Sequence, residues 1–194
     1  MKRILLITAA ALVLSACADT SHNPVEPGAP SFSSGQRWQI FGFGTPAQTV
    51  SASPGYEVAT RFYATTPGCI RKLHFYKAVG ETGTNYVTVW TNSGTALYTD
   101  RIADSFNGSG WRTLDLQPLL GPPIDSSVCI SANTYYRVSV NTNTYQAKTG
   151  GFFDNGAITN GALVADYSYY GTAGYFPTTG SGSGYFIDVT FEED

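Results

Sequence analysis

The chain has 194 residues, of which 13% are charged and 14% are aromatic, and its formal net charge is −3. Soluble domains carry about 25% charged residues, and lysine occurs only four times here, so the composition excludes a polybasic nucleic-acid-binding protein, a coiled coil and a charged disordered chain. The 21 glycines and 13 tyrosines favour a β-rich domain outside the cytoplasm, with turns built from glycine, asparagine, serine and threonine.

Residues 1–16 have the pattern of a secretion signal. Lys2 and Arg3 precede an apolar stretch of 13 residues, which as a helix would reach about 20 Å and so fall short of a hydrocarbon core of about 30 Å. The stretch ends in Leu-Ser-Ala before Cys17, which resembles the lipobox of bacterial lipoproteins. We therefore predict a lipoprotein signal peptide over 1–16 and acylation of Cys17, for example by palmitate. An ordinary signal peptide cleaved near Ala16 or Ala18 remains the alternative.

Residues 17–35 predict a flexible tether behind the lipidated cysteine, because this stretch contains three prolines and several serines but no apolar periodicity. The domain proper is expected over 36–194. Because Ala18, not aspartate, follows Cys17, the resemblance to Gram-negative lipoproteins favours the outer membrane. Without residues 1–16 the net charge falls to about −5, which argues against nucleic acid as a partner.

If Cys17 carries the lipid, two of the three cysteines are left, Cys69 and Cys129. In an oxidising compartment two such cysteines are expected to form a disulfide. The rival interpretation is a metal site. It is weak because the only histidines, His22 and His74, provide no zinc-ligand spacing with these cysteines.

Short strands separated by turn residues follow one another along residues 36–194. Alternating apolar residues place Val58, Thr60 and Phe62 on one face of a strand, and Asn92 to Thr95 form a hairpin turn signal. No window shows a helical stripe. The pattern predicts an all-β fold, a single antiparallel β-sandwich of jelly-roll type. The predicted strands cover 56–64, 70–77, 86–91, 96–102, 111–116, 128–131, 135–141 and 185–191.

The strand signal thins between residues 141 and 183, although aromatic residues persist there. Such a long stretch predicts either a functional loop or a set of missed strands. Tyrosines among asparagine and aspartate are typical of saccharide contacts, because an aromatic ring packs on sugar C–H groups while polar neighbours bind hydroxyls. The candidate ligand-binding residues are Tyr145, Asp154, Asn155, Asp166, Tyr167, Tyr169, Tyr170 and Tyr175. Trp90 and Trp111 lie on strand patterns and are expected in the core.

Several motifs occur in the order known from one family. They are FYKAVGETGT at 75–84, VWTNSGTAL at 89–97, SGWR at 109–112, SANTY at 131–135, GGFF at 150–153, YFPT at 175–178 and YFIDV at 185–189. Over residues 55 to 191 the chain resembles the bacterial surface module known as domain of unknown function 4082. The resemblance implies a β-sandwich resembling carbohydrate-binding modules, and it implies glycan binding because these modules often accompany carbohydrate-active or cell-wall domains. The family provides no catalytic residue to carry over.

Catalytic and metal chemistry find little support in the residues. A glycan hydrolase would need a pair of carboxylates, and the candidates are Asp154, Asp166 and Asp188. A serine triad would have to use His74, and no serine lies in a nucleophile-elbow motif. Loop oxygens at 154–156, with Asp115 or Asp188, offer a structural Ca²⁺ site at most. We predict no enzyme, no cofactor and no metal.

The sequence thus predicts a lipid-anchored protein of the cell envelope whose domain binds a glycan or another surface polymer. The alternative is a structural or adhesive surface lipoprotein that binds another protein, for instance by strand addition at a sheet edge.

Overall fold

The computed structural model describes residues 35–102, 108–116 and 127–194. The predicted signal peptide, Cys17 and nearly all of the tether lie outside these residues. The described residues form fourteen strands, which pair in antiparallel fashion, and no helix. None of this described part therefore forms an apolar helix of membrane-spanning length.

Five strands form the smaller of the two main sheets. The path runs β1, β14, β4, β7, and β8 pairs with β4 beside it. Their bounds are β1 Arg37–Trp38, β14 Ile187–Glu193, β4 Gly68–Lys77, β7 Gly110–Asp115 and β8 Val128–Ile130.

Seven strands form the larger sheet, in the path β11, β12, β3, β9, β5, β6 with β13 paired to β12. Their bounds are β11 Ile158–Asn160, β12 Leu163–Thr172, β3 Tyr56–Ala64, β9 Tyr136–Thr142, β5 Tyr86–Thr91, β6 Ala96–Arg101 and β13 Thr179–Ser181. A separate two-stranded ribbon joins β2 Gln48–Ser51 to β10 Tyr145–Lys148.

Both main sheets contribute inward side chains to one hydrophobic core, which is the arrangement of a β-sandwich. Successive side chains of a strand point to opposite faces, so the alternation read from the sequence decides which residues are buried. The core includes Phe62 and Val138 of the seven-stranded sheet and Leu73, Ile187 and Phe191 of the five-stranded sheet, all with no exposed surface. The all-β prediction is confirmed.

The predicted disulfide is also confirmed. Cys69 on β4 lies directly opposite Cys129 on β8, and their sulfur atoms are 2.06 Å apart. The bond therefore ties two neighbouring strands of the five-stranded sheet whose cysteines are 60 residues apart along the chain.

The stretch 141–183 contains β10, β11, β12 and β13, so missed strands account for much of it. β12 is ten residues long and lies between β11 and β3, so it is no edge element. Its pairing with β3 shifts between Ala165 and Tyr167, which makes Asp166 an extra residue in a β-bulge. The bulge interrupts the alternation of inward and outward side chains, and for this reason the sequence pattern did not predict β12. The last predicted strand begins at Ile187 instead of Tyr185, because Phe186 has a φ of +55°.

The expectation that Trp90 and Trp111 are core residues is wrong. Neither side chain belongs to the buried core. Trp111 packs against Tyr76 and Phe186 and donates a hydrogen bond of 3.0 Å to the carbonyl of Gly44. Trp90 lies between the inward-facing Val89 and the turn of the β5–β6 hairpin, on the opposite face of its strand from Val89.

Candidate functional site

A cavity of about 340 Å³ opens on the outer face of the seven-stranded sheet, the face turned away from the core. This volume lies at the lower end of the range for small-molecule sites, about 300–1,000 Å³. The strand register assembles its floor, because Glu57 of β3 pairs with Asn141 of β9, and Thr88 of β5 pairs with Thr99 of β6. The lining residues are Glu57, Tyr86, Thr88, Trp90, Thr99, Asn141, Ala173 and Gly174.

Glu57 lines the bottom of this cavity and is only 2% exposed. The hydroxyl of Ser139 donates a hydrogen bond to one carboxyl oxygen, and the amide of Gly174 donates to the other at 3.0 Å. Trp90 Nε1 donates to Ser139 Oγ at 2.7 Å, so indole, hydroxyl and carboxyl form a chain. Burial raises the pKa of Glu57 to about 7, and the hydrogen bonds from Ser139 and Gly174 oppose this rise only in part.

Two aromatic side chains, Tyr86 and Trp90, line the cavity together with Glu57. Tyr86 is 48% exposed. Trp90 packs edge-on against Phe176, with 5.6 Å between the ring centroids. The threonine hydroxyls of Thr99 and Thr88 are joined by a hydrogen bond of 3.2 Å. The cavity thus combines an apolar wall with several uncharged polar groups.

Arg137 holds the segment 173–178, which connects β12 to β13 and contributes Ala173 and Gly174 to the lining. Its guanidinium lies 3.5 Å from the ring centroid of Tyr169 and 4.4 Å from that of Phe176. It donates hydrogen bonds to the carbonyl of Pro177 and, at 3.3 Å, to Asn92 Oδ1. Because Arg137 is 7% exposed, it acts here as a fixed support for the segment.

A second cluster on the same face surrounds Arg61. The guanidinium donates to both oxygens of Asp166, at 2.8 and 2.9 Å, and to the hydroxyl of Tyr169 at 3.1 Å. Tyr135 donates to Asp166 at 3.0 Å, and its ring lies 4.6 Å from the guanidinium carbon of Arg61. Tyr167 lies at the rim, with its ring centroid 5.9 Å from that carbon.

Three of the predicted ligand-binding residues, Asp166, Tyr167 and Tyr169, therefore lie together in the Arg61 cluster. The remaining five are scattered. Tyr170 turns toward the core and packs edge-on against Tyr56. Tyr175 is 70% exposed on the segment 173–178, Tyr145 lies on the ribbon strand β10, and Asp154 and Asn155 lie in the turn region before β11.

The cavity residues were missed by the sequence analysis. A usable signal existed on β5, because Tyr86, Thr88 and Trp90 alternate with the inward-facing Val87 and Val89. Glu57 carried a weaker signal, since a glutamate inside an apolar strand pattern is rare unless it is partnered.

The three carboxylates considered for hydrolysis lie in three different environments. Asp166 is paired with Arg61, and Asp154 is beside Gly151 and Gly182. Asp188 is buried in β14, where it accepts backbone hydrogen bonds from Ile40, Phe41 and Val189 at 2.7–2.8 Å. Burial raises the pKa of Asp188 to about 7, against the opposing effect of these bonds. Its role is to fix the chain at residues 40–42.

His74 lies on the outer face of the five-stranded sheet, where Thr113 and Thr190 bind its two ring nitrogens at 2.9 and 2.7 Å. Burial lowers the pKa of His74 to about 4, so the ring is neutral at neutral pH. Within the described ranges, no group of three or more histidine, cysteine, aspartate or glutamate side chains is placed to hold a metal ion.

A family model described as domain of unknown function (DUF4082) matches residues 43–187. The chain belongs to this family. The DUF4082 match confirms the resemblance seen in the sequence motifs, and it includes both the cavity and the Arg61 cluster. No curated protein matches the chain. The DUF4082 boundaries leave out β1 and all of β14 after its first residue.

Proposed function

We propose that this domain binds a saccharide, without chemical turnover, in the cavity on the outer face of the seven-stranded sheet. The observation that carries the proposal is the lining itself, in which Tyr86 and Trp90 flank Thr88 on β5. Thr99 and Asn141 line the same cavity. Sugar rings have C–H faces that pack on aromatic rings, and their hydroxyls require donors and acceptors at defined positions. The cavity lining contains both kinds of group, which supports the proposal.

Binding without turnover is favoured by the number of carboxyl groups. Glycoside hydrolysis uses two of them, about 5–9.5 Å apart, whereas Glu57 is the one carboxyl group among the described residues that line the cavity. Glu57 is also engaged by Ser139 and Gly174, which fits a carboxyl group that holds a ligand and the segment 173–178 in place.

A protein partner is the second candidate, and the Arg61 cluster favours it. Tyr135 and Tyr167 are 36% and 37% exposed around an arginine, and tyrosine and arginine are the residue types enriched in protein interfaces. Strand addition at β6 is less favoured, because Asp100 and Arg101 place charges on this exposed strand.

The sequence also supports the proposal that the domain is held in the cell envelope by lipid on Cys17. The expected result is an acylated N-terminal peptide in the mass spectrum of the chain isolated from membranes. A Cys17→Ser variant is expected to leave the membrane fraction, and an unmodified peptide that begins elsewhere would contradict this address.

A glycan array tests the proposed function with the chain that lacks residues 1–17. We expect binding to at least one saccharide class, and we expect Tyr86→Ala to weaken it on the order of ten-fold, which corresponds to one lost aromatic contact. Phe43→Ala is the matched control, because Phe43 is 78% exposed and lines the separate cavity around His74. Absence of any binding, or equal binding by the Tyr86→Ala variant, would refute the proposal.

A further inference from the structure

The charge around the cavity is arranged asymmetrically. Among the described lining residues Glu57 is the one acidic group, and the other polar groups, Tyr86, Thr88, Thr99 and Asn141, carry amides or hydroxyls. No lysine or arginine is part of this described lining. An anionic ligand would therefore meet a carboxyl group in the cavity without a cation beside it.

Two arginines lie opposite lining residues in the strand register, and neither is among the described lining residues. Arg137 lies opposite Trp90, but its guanidinium binds Pro177 and Asn92. Arg101 lies opposite Tyr86 on β6, where it is exposed to solvent. Solvent and salt screen such an exposed charge, so it offsets little of a repulsion inside the cavity.

We infer that the cavity selects uncharged saccharides over acidic ones, and that Glu57 is the residue that imposes this selection. The inference rests on the proposed function and specifies its ligand class. A carboxylate on a sugar, such as that of a uronic acid, would bring a second negative charge next to a group that is 2% exposed. Like charges in such a poorly solvated place repel strongly, because the effective dielectric constant is far below that of water.

The hydrogen bonds of Glu57 point to the same ligand class. A carboxylate has about four acceptor positions, and Ser139 and Gly174 each donate one bond to it. The remaining positions suit a sugar hydroxyl, which can donate a proton in a hydrogen bond. An ionised sugar carboxylate has no proton to donate.

The selection depends on pH. Ser139 and Asn141 of β9, Gly171 of β12 and Gly174 of the segment 173–178 face Glu57, and none of them titrates. The other titratable side chain among the described lining residues is the phenol of Tyr86 on β5. The charged groups at neighbouring register positions are Arg137 of β9 and Arg101 of β6. Because the pKa of Glu57 is raised to about 7, the carboxyl group is largely neutral at pH 5.5 and charged at pH 8.5. Discrimination against acidic sugars should therefore increase as the pH rises through 7.

Matched pairs of oligosaccharides test this inference with the chain that lacks residues 1–17. The probes are hexamers of glucose, galactose, mannose and N-acetylglucosamine, each compared with its counterpart oxidised at C6 to the carboxylate. For every hexamer that binds, we expect the oxidised form to bind at least ten-fold more weakly at pH 8.5 and less than three-fold more weakly at pH 5.5. Methyl esterification of the oxidised form should restore binding, because it removes the charge and keeps the added atoms.

Two variants assign the effect to Glu57. Glu57→Gln keeps the shape of the side chain and an acceptor for Ser139 or Gly174, and it should reduce the ten-fold preference at pH 8.5 to less than three-fold. Asp154→Asn, which removes a carboxylate outside the cavity, should leave the preference unchanged. Equal binding of both forms by the unaltered chain at pH 8.5 would overturn the inference and leave the proposed function standing. Failure of every hexamer, neutral and oxidised, would overturn the inference, and the proposed function would fall with it only if the glycan array also shows no binding. If Glu57→Gln does not fold, the pH series on the unaltered chain still decides.

Discussion

Three buried carboxyl groups of the described residues each accept backbone hydrogen bonds from a segment that is distant along the chain. Glu57 binds Gly174, and Asp188 binds Ile40 and Phe41. Glu81, which is 3% exposed, accepts from the amides of residues 143, 144 and 145 at 2.7–2.9 Å. Buried charges are costly unless they are partnered, so these few carboxyl groups hold the connections between strands in fixed positions.

The raised pKa of Glu57 makes the stability of the domain depend on pH. Its pKa rises from 4.5 to about 7 on folding, so between these values the folded state keeps a proton that the unfolded chain has lost. Stability should therefore fall as the pH rises from about 4.5 to 7, and stay level above 7, with a loss of up to about 3 kcal/mol.

Urea unfolding of the unaltered chain and of Glu57→Gln between pH 4.5 and 8.5 measures this loss. The stability of the unaltered chain should decrease relative to the variant over that interval. Both proteins carry Asp188, whose pKa is also raised to about 7, so the difference between them isolates Glu57. Parallel curves for the two proteins would show that Glu57 ionises alike in the folded and unfolded states.

Single strands show how far the sequence can be interpreted. β3, β5 and β9 were predicted nearly to the residue, because each alternates apolar inward residues with polar outward ones and ends at a turn. β12 was missed, since the bulge at Asp166 changes which residues face inward halfway along the strand. β1 and β2 have two and four residues, too few to show any period.

The candidate site could be predicted only in part, because its residues come from several strands that are distant along the chain. The sequence identified Asp166, Tyr167 and Tyr169 by composition, and these residues do share one face of β12. The cavity instead combines side chains from β3, β5, β6 and β9 with the segment 173–178. Which strands become neighbours is decided by long-range pairing, and alternation within one strand carries no information about it.

The turn between β11 and β12 contains a glycine whose replacement should strongly reduce the stability of the domain. Gly161 has a φ of +56°, and a Cβ atom added there would lie 2.0 Å from the ring of Trp38. Gly42 has the same φ of +56°, and among the described residues beyond its chain neighbours no atom lies within 4 Å of an added Cβ, so it is a matched control.

Replacement of these two glycines should separate backbone strain from side-chain contact. Gly42→Ala should cost about 1–2 kcal/mol, the penalty of a left-handed backbone for an L residue. Gly161→Ala should cost about 3 kcal/mol or more, because Trp38 must also leave its place and its hydrogen bond to Glu193. Thermal or urea unfolding measures both, and equal losses would mean that Trp38 moves aside without cost.

On the scale of the whole molecule, the last strand completes the sandwich. β14 lies between β1 and β4 in the five-stranded sheet. Its residues Ile187, Val189 and Phe191 have no exposed surface. The family match ends at residue 187, so a fragment cut at the family boundaries would lose the strand that closes this side of the core.

A fragment of residues 43–187 should therefore fail to fold. Loss of the buried Val189 and Phe191 alone removes about 1.5–3 kcal/mol each, and the paired backbone of β14 and β1 is lost as well, against a total stability of about 5–15 kcal/mol for a domain. In a two-dimensional amide NMR spectrum, the peaks of the fragment 43–187 should be poorly dispersed, whereas those of residues 35–194 should be well dispersed. A dispersed spectrum of the shorter fragment would contradict this account of β14.

The antiparallel pairing of β1 with β14 also decides how the domain responds to mechanical load. The amide of Glu193 donates to the carbonyl of Gln36 at 3.1 Å, so the beginning and the end of the described chain emerge side by side. Tension applied at Gly35 would peel β1 away one residue pair at a time, since β1 has only two pairs with β14. Peeling would stop at Ile40 and Phe41, because their amides donate hydrogen bonds to the buried carboxyl group of Asp188 on β14. The released residues span roughly 20 Å when fully extended. Tension at this end would therefore extend the chain before the load reached the two sheets.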